Sequence, residues 1–400
     1  MKRVLAGCVL ILFPVLLSAQ TLDLVWEDTT FRGPLDNAQS VDGLRNRIVV
    51  GEVLSRPDSF DTDILIKAFN PSGHLIWTDE FAGDWVNVAV ANTTAFVAGS
   101  VLRDTGGRNL ILRAYDLATG SPIWGVVTSF DAPQHILVRG GFLAIIGYQG
   151  TTRTQAPLSG LLRVFDAGNG NELWHVEDAQ PPVIPLKDTT FWDFDDLGRQ
   201  LVIVGTVVTN TNPRTQDTLV RSYNIQTGHL RWETRLVDSF AAAIRISRPF
   251  VVVAGSQLTG LRLSDGQLQW QQSAPGIFSN LAITGSVAIT NTFTRIQAFQ
   301  LATGDLLWQQ NVLSPPFTFE TVSRVVPIGN RFLSIGSRSP EGPGPTVFVL
   351  RVLDAVGNPL SELDFTGIFF SDALIFHGRL LLVGRSPAGA FIRVYQVVEP

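Results

Sequence analysis

The sequence predicts an all-β fold, an eight-bladed β-propeller of four-stranded antiparallel blades, from three observations. The pattern Asp/Asn-x-x-Thr-Gly-x-x-x-Trp recurs along the chain. A short apolar strand that ends in Gly or a substitute precedes each copy, and this second signal counts eight units. The units repeat every 38 to 58 residues, which leaves room for four short strands and their turns. This periodicity is typical of a propeller.

The recurring motif is that of a β-hairpin. Gly supplies the positive φ that closes the turn, and the Asp or Asn before it can bond the amides of the turn. Trp then opens the returning strand with a large flat side chain. The glycine and tryptophan pairs are Gly73/Trp77, Gly120/Trp124, Gly170/Trp174, Gly228/Trp232, Gly266/Trp270 and Gly304/Trp308.

Two units depart from the pattern. Ser361 stands where a seventh motif would carry Trp, and Asn291 replaces a strand-ending Gly. We therefore expect blades six and seven to be less regular than this pattern of four strands.

The chain ends predict how the ring closes. Residues 391–397 read as a third strand with no hairpin partner after it, and residues 21–27 read as a fourth strand with no partner before it. Pairing of these two strands would complete an eighth blade and leave no open sheet edge at the junction.

The motif resembles the shared turn of eight-bladed propellers with pyrroloquinoline-quinone-type (PQQ-like) repeats, Ala-x-Asp-x-x-Thr-Gly-x-x-x-Trp. The match is closest at Ala114–Trp124 and Ala298–Trp308. That superfamily includes quinoprotein dehydrogenases, and also a lipoprotein without cofactor that assists the assembly of outer-membrane β-barrels. The resemblance therefore implies the fold and leaves both functions open.

The N-terminus predicts export. Lys2-Arg3, the apolar stretch Val4 to Leu17 and the small residues that follow read as a secretory signal peptide over residues 1–20, so that residues 21–400 form a single propeller domain. A retained membrane anchor is disfavoured because the apolar run is shorter than the ~20 residues of a spanning helix. Leu5–Cys8 has the letters of a lipobox, but most of the apolar stretch follows Cys8, which argues against lipidation. We expect a periplasmic, outer-envelope or extracellular location and no transmembrane segment in the mature chain.

Composition excludes several kinds of chemistry. The single Cys and the single Met are Cys8 and Met1, so the mature chain has no disulfide, thiol nucleophile, Cys-ligated metal or Met haem ligand. The formal net charge is −5 and the basic residues are scattered, which argues against nucleic acid as a partner. Arg or Lys recurs two residues before the strand-ending aromatic or Leu, and such a ring could bind an anion, although pairing with nearby carboxylates is the favoured interpretation. These residues are Lys67, Arg113, Arg163, Arg221, Arg351 and Arg393.

The sequence offers no catalytic, cofactor-binding or metal-binding residues that we would assign. The five histidines, His74, His135, His175, His229 and His377, show no metal-ligand spacing. Asp193–Gly198 superficially resembles a Ca²⁺ loop but lacks the later oxygen ligands, and we interpret it as the turn between the first two strands of the fourth blade.

The largest departure from the repeat is the spacing of 58 residues between Trp174 and Trp232. It contains Ala179–Pro185 and Phe191-Trp192, read as a Pro-stiffened connection with aromatic residues, and Thr209–Gln216, read as a polar loop. Irregular loops on a rigid scaffold commonly carry binding residues.

These observations favour an exported, monomeric, non-catalytic scaffold without a cofactor, which binds a protein or carbohydrate partner through one rim of the propeller. Outer-membrane protein assembly is the role that the resemblance implies. The alternative is a PQQ-dependent oxidoreductase, for which the resemblance implies a Ca²⁺ site, a carboxylate base and long insertions. A third hypothesis is a structural propeller stabilised by calcium.

Overall fold

The computed structural model describes residues 22–33, 36–56, 61–102, 108–129, 132–149, 159–178, 189–211, 214–273, 276–292, 294–312, 317–329, 331–340, 347–366 and 369–397. These residues form 32 strands in eight antiparallel four-stranded sheets, so the predicted fold class is confirmed. In the described ranges, no helix has the length and apolarity needed to cross a membrane. The predicted signal peptide, Cys8 and Ala179–Pro185 lie outside the described residues.

Each of the first seven blades is a meander of four consecutive strands. Blade 1 contains β2 (Asn37–Leu44), β3 (Arg47–Ser55), β4 (Thr62–Phe69) and β5 (Leu75–Ala82). Blade 2 contains β6 (Trp85–Ala91), β7 (Thr94–Leu102), β8 (Arg108–Asp116) and β9 (Pro122–Ser129). Blade 3 contains β10 (Ala132–Arg139), β11 (Phe142–Gln149), β12 (Ser159–Asp166) and β13 (Glu172–Asp178). Blade 4 contains β14 (Thr189–Leu197), β15 (Gln200–Thr211), β16 (Arg214–Asn224) and β17 (Leu230–Leu236).

Blade 5 contains β18 (Ala241–Ser247), β19 (Phe250–Gly255), β20 (Gln257–Arg262) and β21 (Leu268–Ser273). Blade 6 contains β22 (Asn280–Thr284), β23 (Val287–Thr292), β24 (Arg295–Gln300) and β25 (Leu306–Asn311). Blade 7 contains β26 (Phe317–Ile328), β27 (Arg331–Pro340), β28 (Val347–Leu353) and β29 (Pro359–Thr366). Blade 8 contains β30 (Phe369–Phe376), β31 (Arg379–Ser386), β32 (Gly389–Val397) and, from the other end of the chain, β1 (Leu22–Thr30).

The ring closes as the sequence predicts. β1 pairs antiparallel with β32, from Leu22 opposite Val397 to Thr30 opposite Ala390. The paired strand is longer than the predicted residues 21–27. Blade 8 is thereby built from the last three strands and the first strand, β1. The pairing of β1 with β32 links the last blade to the first.

The core lies between the faces of neighbouring blades. Val49 and Ile66 of blade 1, for example, pack with Val86 and Val97 of blade 2 in one buried cluster. Alternate residues of the middle strands point to opposite faces of each blade and so reach the blades on both sides. Most of the apolar burial is therefore shared between blades, and a single blade would leave both of its faces exposed.

A tryptophan of the outer strand joins seven of the eight blades to the next, namely the six motif tryptophans and Trp26 of β1. Its ring lies against the turn Gly of the following blade. A Cβ added to that Gly would lie 2.5–2.8 Å from the ring in all seven cases. Its Nε1–H donates to a backbone carbonyl of the same turn at 2.8–3.2 Å. The seven contacts are Trp26/Gly73, Trp77/Gly120, Trp124/Gly170, Trp174/Gly228, Trp232/Gly266, Trp270/Gly304 and Trp308/Gly357.

Blades 6 and 7 each differ from the common pairing of the two inner strands. Asn291 is buried and donates from Nδ2 to Ser279 Oγ and to the carbonyl of Val322 in blade 7, both at 2.7 Å. The β22–β23 register of blade 6 has no shift, whereas β26–β27 of blade 7 has two. Five of the other inner pairs carry one shift, beside the strand-ending Gly, so both blades depart from the common pattern, and in blade 6 the departure falls at Asn291.

The two roles of the turn glycine can be separated by substitution. Gly304 has φ 76° and an added Cβ would lie 2.6 Å from the Trp270 ring, whereas Gly285 has φ 54° with no heavy atom within 4 Å of an added Cβ. Gly285→Ala should cost about 1 kcal/mol of unfolding free energy through backbone strain alone. Gly304→Ala should cost about 2 kcal/mol more, because the Trp270 ring must also move. Urea denaturation measures both losses, and equal losses would contradict the steric role.

Candidate functional site in the central channel and at the blade 8–blade 1 seam

The innermost strands enclose a polar central channel. Its described lining forms a cavity of about 600 Å³ and comes from β2, β6, β10, β14, β18, β22, β26 and β30. The charged groups along it include Asp42, Asp193, Asp372, Arg245 and Arg324. The channel is therefore a polar concavity with charged side chains on its wall.

The channel carboxylates have a structural task. The innermost strand of each blade is a sheet edge. The N–H groups on its unpaired side need acceptors. Carboxylate oxygens of one blade accept these N–H groups from the next blade in chain order. The bonds are Val41 N to Asp372 at 3.1 Å, Val90 N to Asp42 at 2.7 Å, Ile244 N to Asp193 at 2.9 Å and Ile246 N to Asp195 at 2.6 Å.

Neutral side chains make the same kind of bond. Gln39 Oε1 accepts from Val86 N at 2.9 Å, and Asn280 Oδ1 accepts from Val325 N at 3.3 Å. The bond therefore depends on an oxygen acceptor and not on charge. Together these contacts form an inner ring of blade-to-blade bonds, opposite the outer ring of tryptophan contacts.

Burial perturbs the channel acids. Desolvation raises the pKa of Asp42 to about 6, and the nearby Asp372 adds to the rise, while bonds from Val90 and Gly43 oppose it. Burial also raises the pKa of Asp195. Asp193 pairs with Arg245 at 2.7 Å, and Asp372 pairs with Arg324.

Asp193–Gly198 resembles a Ca²⁺ loop in sequence but does not form one in the structure. These residues form the end of β14 and the turn that follows it, as we interpreted them, with Gly198 at φ 69°. Asp193 and Asp195 accept hydrogen bonds from backbone N–H groups of blade 5, and Asp196 Oδ2 lies 3.5 Å from Arg139 Nε. In the ranges that the structure describes, no three His, Cys, Asp or Glu side chains are grouped so as to hold a metal ion.

The same test applies to the Ca²⁺ ion implied by the superfamily. A calcium ion takes six to eight oxygen ligands. The described channel carboxylates are instead separated around the ring and engaged by backbone N–H groups. The described donors do not fit such a site.

The recurring Arg and Lys residues are paired with carboxylates, which confirms the favoured interpretation. Lys67, Arg113 and Arg221 reach the outer strand of the preceding blade, at Asp28 (2.6 Å), Asp79 (2.8 Å) and Asp178 (3.3 Å). The other three pair within their own blade, as Arg163–Glu172, Arg351–Glu362 and Arg393–Glu27. These side chains stabilise the blades and do not form a ring that is open to an anion.

The histidines are dispersed, as their spacing indicates. His74 and His229 are exposed beside the turn glycines, His135 lies on the channel, and His175 Nδ1 lies 2.6 Å from Glu172. His377 is different, since its Nε2 contacts the carbonyl of Arg45 in blade 1.

The widest repeat spacing is not simply a loop insertion. Thr209–Gln216 was predicted as a polar loop, but β15 extends to Thr211 and β16 begins at Arg214, with Thr209 Oγ1 and Thr215 Oγ1 2.7 Å apart. This prediction is wrong because threonine suits strands and the hairpin continues. Phe191 and Trp192 lie in the inner strand β14 and not in a connection, and their side chains are outside the described structure.

A second concavity lies where blade 8 meets blade 1. This seam pocket, of about 360 Å³, is bounded by Arg45, Asn46, Pro71, His377, Arg379 and Gln396. Ile48, Phe376, Leu381 and Val394 form its floor. The sequence gives no local sign of it, since Arg45 and His377 are brought together only by ring closure.

Eight blades, the Trp-to-Gly interlock and the terminal closure define an eight-bladed propeller of the PQQ-like repeat class. The family model described as outer membrane protein assembly factor BamB matches residues 61–190 and 158–337. The chain belongs to this family.

The individual relatives are distant. BamB of Yersinia pestis is 22% identical over 182 residues, which are 41% of this chain and 42% of that protein. The chain thus matches less than half the length of this curated relative. The crystal structure of BamB from Moraxella catarrhalis has a TM-score of 0.59 at 16% identity, over 94% of this chain and 98% of that one. Quinohemoprotein alcohol dehydrogenase ADHIIG of Pseudomonas putida has a TM-score of 0.61 at 14% identity, over 94% and 76%. These two likenesses show the fold alone.

The buried acid of the channel predicts a pH dependence of stability. Because the pKa of Asp42 is raised from 3.8 to about 6, the folded state binds this proton more tightly than the unfolded state. Its contribution is fully present below pH 4 and is lost as pH rises through 6. Asp42→Asn should therefore remove about 1–3 kcal/mol of stabilisation gained by the wild type between pH 7 and pH 4.

The measurement is urea denaturation at several pH values. Asp116→Asn is the matched control of opposite sign, since the Thr119 hydroxyl lowers the pKa of Asp116 and its contribution is lost as pH falls. Parallel curves of stability against pH for wild type and Asp42→Asn would contradict the assignment.

Proposed function

We propose that this protein is an exported, non-catalytic propeller scaffold that holds a protein partner during the assembly of outer-membrane proteins. The observation that carries the proposal is the family match across residues 61–337. Signal-directed export over residues 1–20, a monomeric state and a location in the periplasm or outer envelope are part of the same proposal.

The chemistry of the described residues supports a binding role. The channel carboxylates are occupied by blade-to-blade contacts and the recurring cations by ion pairs between or within blades, which leaves the rims as the surfaces open to a partner. Large apolar side chains are exposed at the start of the outer strands, near one rim. Examples are Leu75 (54%), Ile123 (51%), Leu230 (51%), Leu268 (52%) and Leu306 (49%). A perimeter with repeated apolar positions suits a protein partner.

The proposal predicts a loss of outer-membrane β-barrel proteins when the protein is absent. Deleting the gene in the native host should lower the abundance of these proteins several-fold, as measured by quantitative mass spectrometry of outer membranes. Expression of the full chain should restore them. A chain beginning at residue 21, which lacks the export signal, is the matched control and should not.

Unchanged barrel abundance in the deletion strain would contradict the proposal. The oxidoreductase alternative makes a separate prediction, namely that protein incubated with Ca²⁺ and pyrroloquinoline quinone acquires the quinone absorbance and reduces a dye with alcohol. A protein stabilised by calcium alone would lose melting temperature on chelation without the quinone signal.

A further inference from the structure

The seam pocket combines an apolar floor with positive charge. Ile48 and Leu381 are buried beneath it, and Arg45, Arg379 and His377 stand on its walls. No carboxylate lines the pocket in the part of the chain that the structure describes. Its volume of about 360 Å³ falls within the range of small-molecule sites.

Among the described residues, Arg379 is held in place by hydrogen bonds and not by an ion pair. Its Nη1 donates to the carbonyl of Pro71 at 2.6 Å, and its Nε donates to Gln396 Oε1 at 3.2 Å. Both acceptors are neutral, unlike the carboxylates that pair with Arg221 and Arg351 elsewhere in the ring. A half-buried guanidinium that is fixed and has no carboxylate partner within the described ranges favours an anion beside it.

The backbone around the pocket is strained at two residues. Arg45 and His377 have φ of 58° and 51°, a conformation that favours glycine. The corresponding turns of blades 4 and 6 use Gly198 and Gly285. Non-glycine residues kept in this conformation point to a task for the side chain. His377 joins the two turns through the Arg45 carbonyl, which leaves the Arg45 guanidinium as the exposed cation at the mouth.

We propose that the seam pocket binds an apolar monocarboxylate, with the hydrocarbon group on the floor and the carboxylate between Arg45 and Arg379. Two sources carry this chemistry, a free carboxylic acid and the last residue of a polypeptide. The inference does not depend on the proposed function, because it rests on this pocket alone and is tested with purified protein.

The test is calorimetric titration of the full-length protein with 3-phenylpropionate and with its amide. The carboxylate should bind with a dissociation constant of about 1 mM or below, and the amide at least tenfold more weakly. A blocked tripeptide that ends in Phe, with a free or an amidated carboxyl group, distinguishes the sources. Binding of the tripeptide acid alone identifies a polypeptide terminus, and binding of phenylpropionate alone identifies a free acid.

The diagnostic variant is Arg45→Gly. It removes the guanidinium and relieves the positive φ, so affinity for the carboxylate should fall at least tenfold while the melting temperature is unchanged or higher. Arg231→Gln removes an exposed arginine of blade 4, on the opposite side of the ring, and should change neither property. Equal binding of acid and amide, wild-type affinity in Arg45→Gly, or no binding of either acid at 10-fold the expected dissociation constant would overturn the proposal.

Discussion

The contact between the motif tryptophan and the turn of the next blade is the constraint on which this ring depends. The indole needs a flat surface without a Cβ and a carbonyl that accepts its N–H, and both come from one turn in the following blade. Glycine is required there for its positive φ and for the absent side chain at the same time. One short motif thus specifies a hairpin and also the docking of that hairpin onto its neighbour.

The inner edge of the ring meets a different physical demand. Strands that line the channel carry N–H groups with no strand beside them, and side-chain oxygens of the preceding blade accept them. The demand explains why acids such as Asp42 and Asp195 are retained in partly buried positions where ionisation is disfavoured. It also explains why an acidic channel need not be an active site. The primary role of these carboxylates is to accept the backbone hydrogen bonds that join neighbouring blades.

The fold could be predicted from the sequence because its information is local and repeated. Gly304 and Trp308 define a turn by themselves, six such pairs recur, and the eight strand-ending signals imply a ring. The seam pocket could not be predicted in the same way, since Arg45 and His377 are 332 positions apart and meet only in the closed ring. The mistaken loop at Thr209–Gln216 has another cause. Polar residues were read as a turn, although threonine tolerates a strand and β15 simply runs longer than its counterparts.

Ser361 shows how closure and repeat are connected. A tryptophan at this position of β29 would dock into the turn between the third and fourth strands of blade 8. That turn does not exist, because the third strand is β32, the fourth is β1, and Leu22 lies opposite Val397 with no turn between them. Four residues further along β29, Phe365 packs against Phe391 and Tyr395 and lies under the Arg393 guanidinium, as Phe81 of blade 1 lies under Arg113.

The loss of tryptophan at this one junction is therefore a consequence of closing the ring with both ends of the strand order. Blade 8 lacks the tryptophan contact on its blade 7 side and keeps it on its blade 1 side. On the blade 1 side, Trp26 keeps the usual bond to the Pro71 carbonyl, but Arg379 shares that acceptor. Where the shared motif no longer dictates every side chain, residues such as Arg379 and Arg45 are available for recognition, and this is where the seam pocket lies.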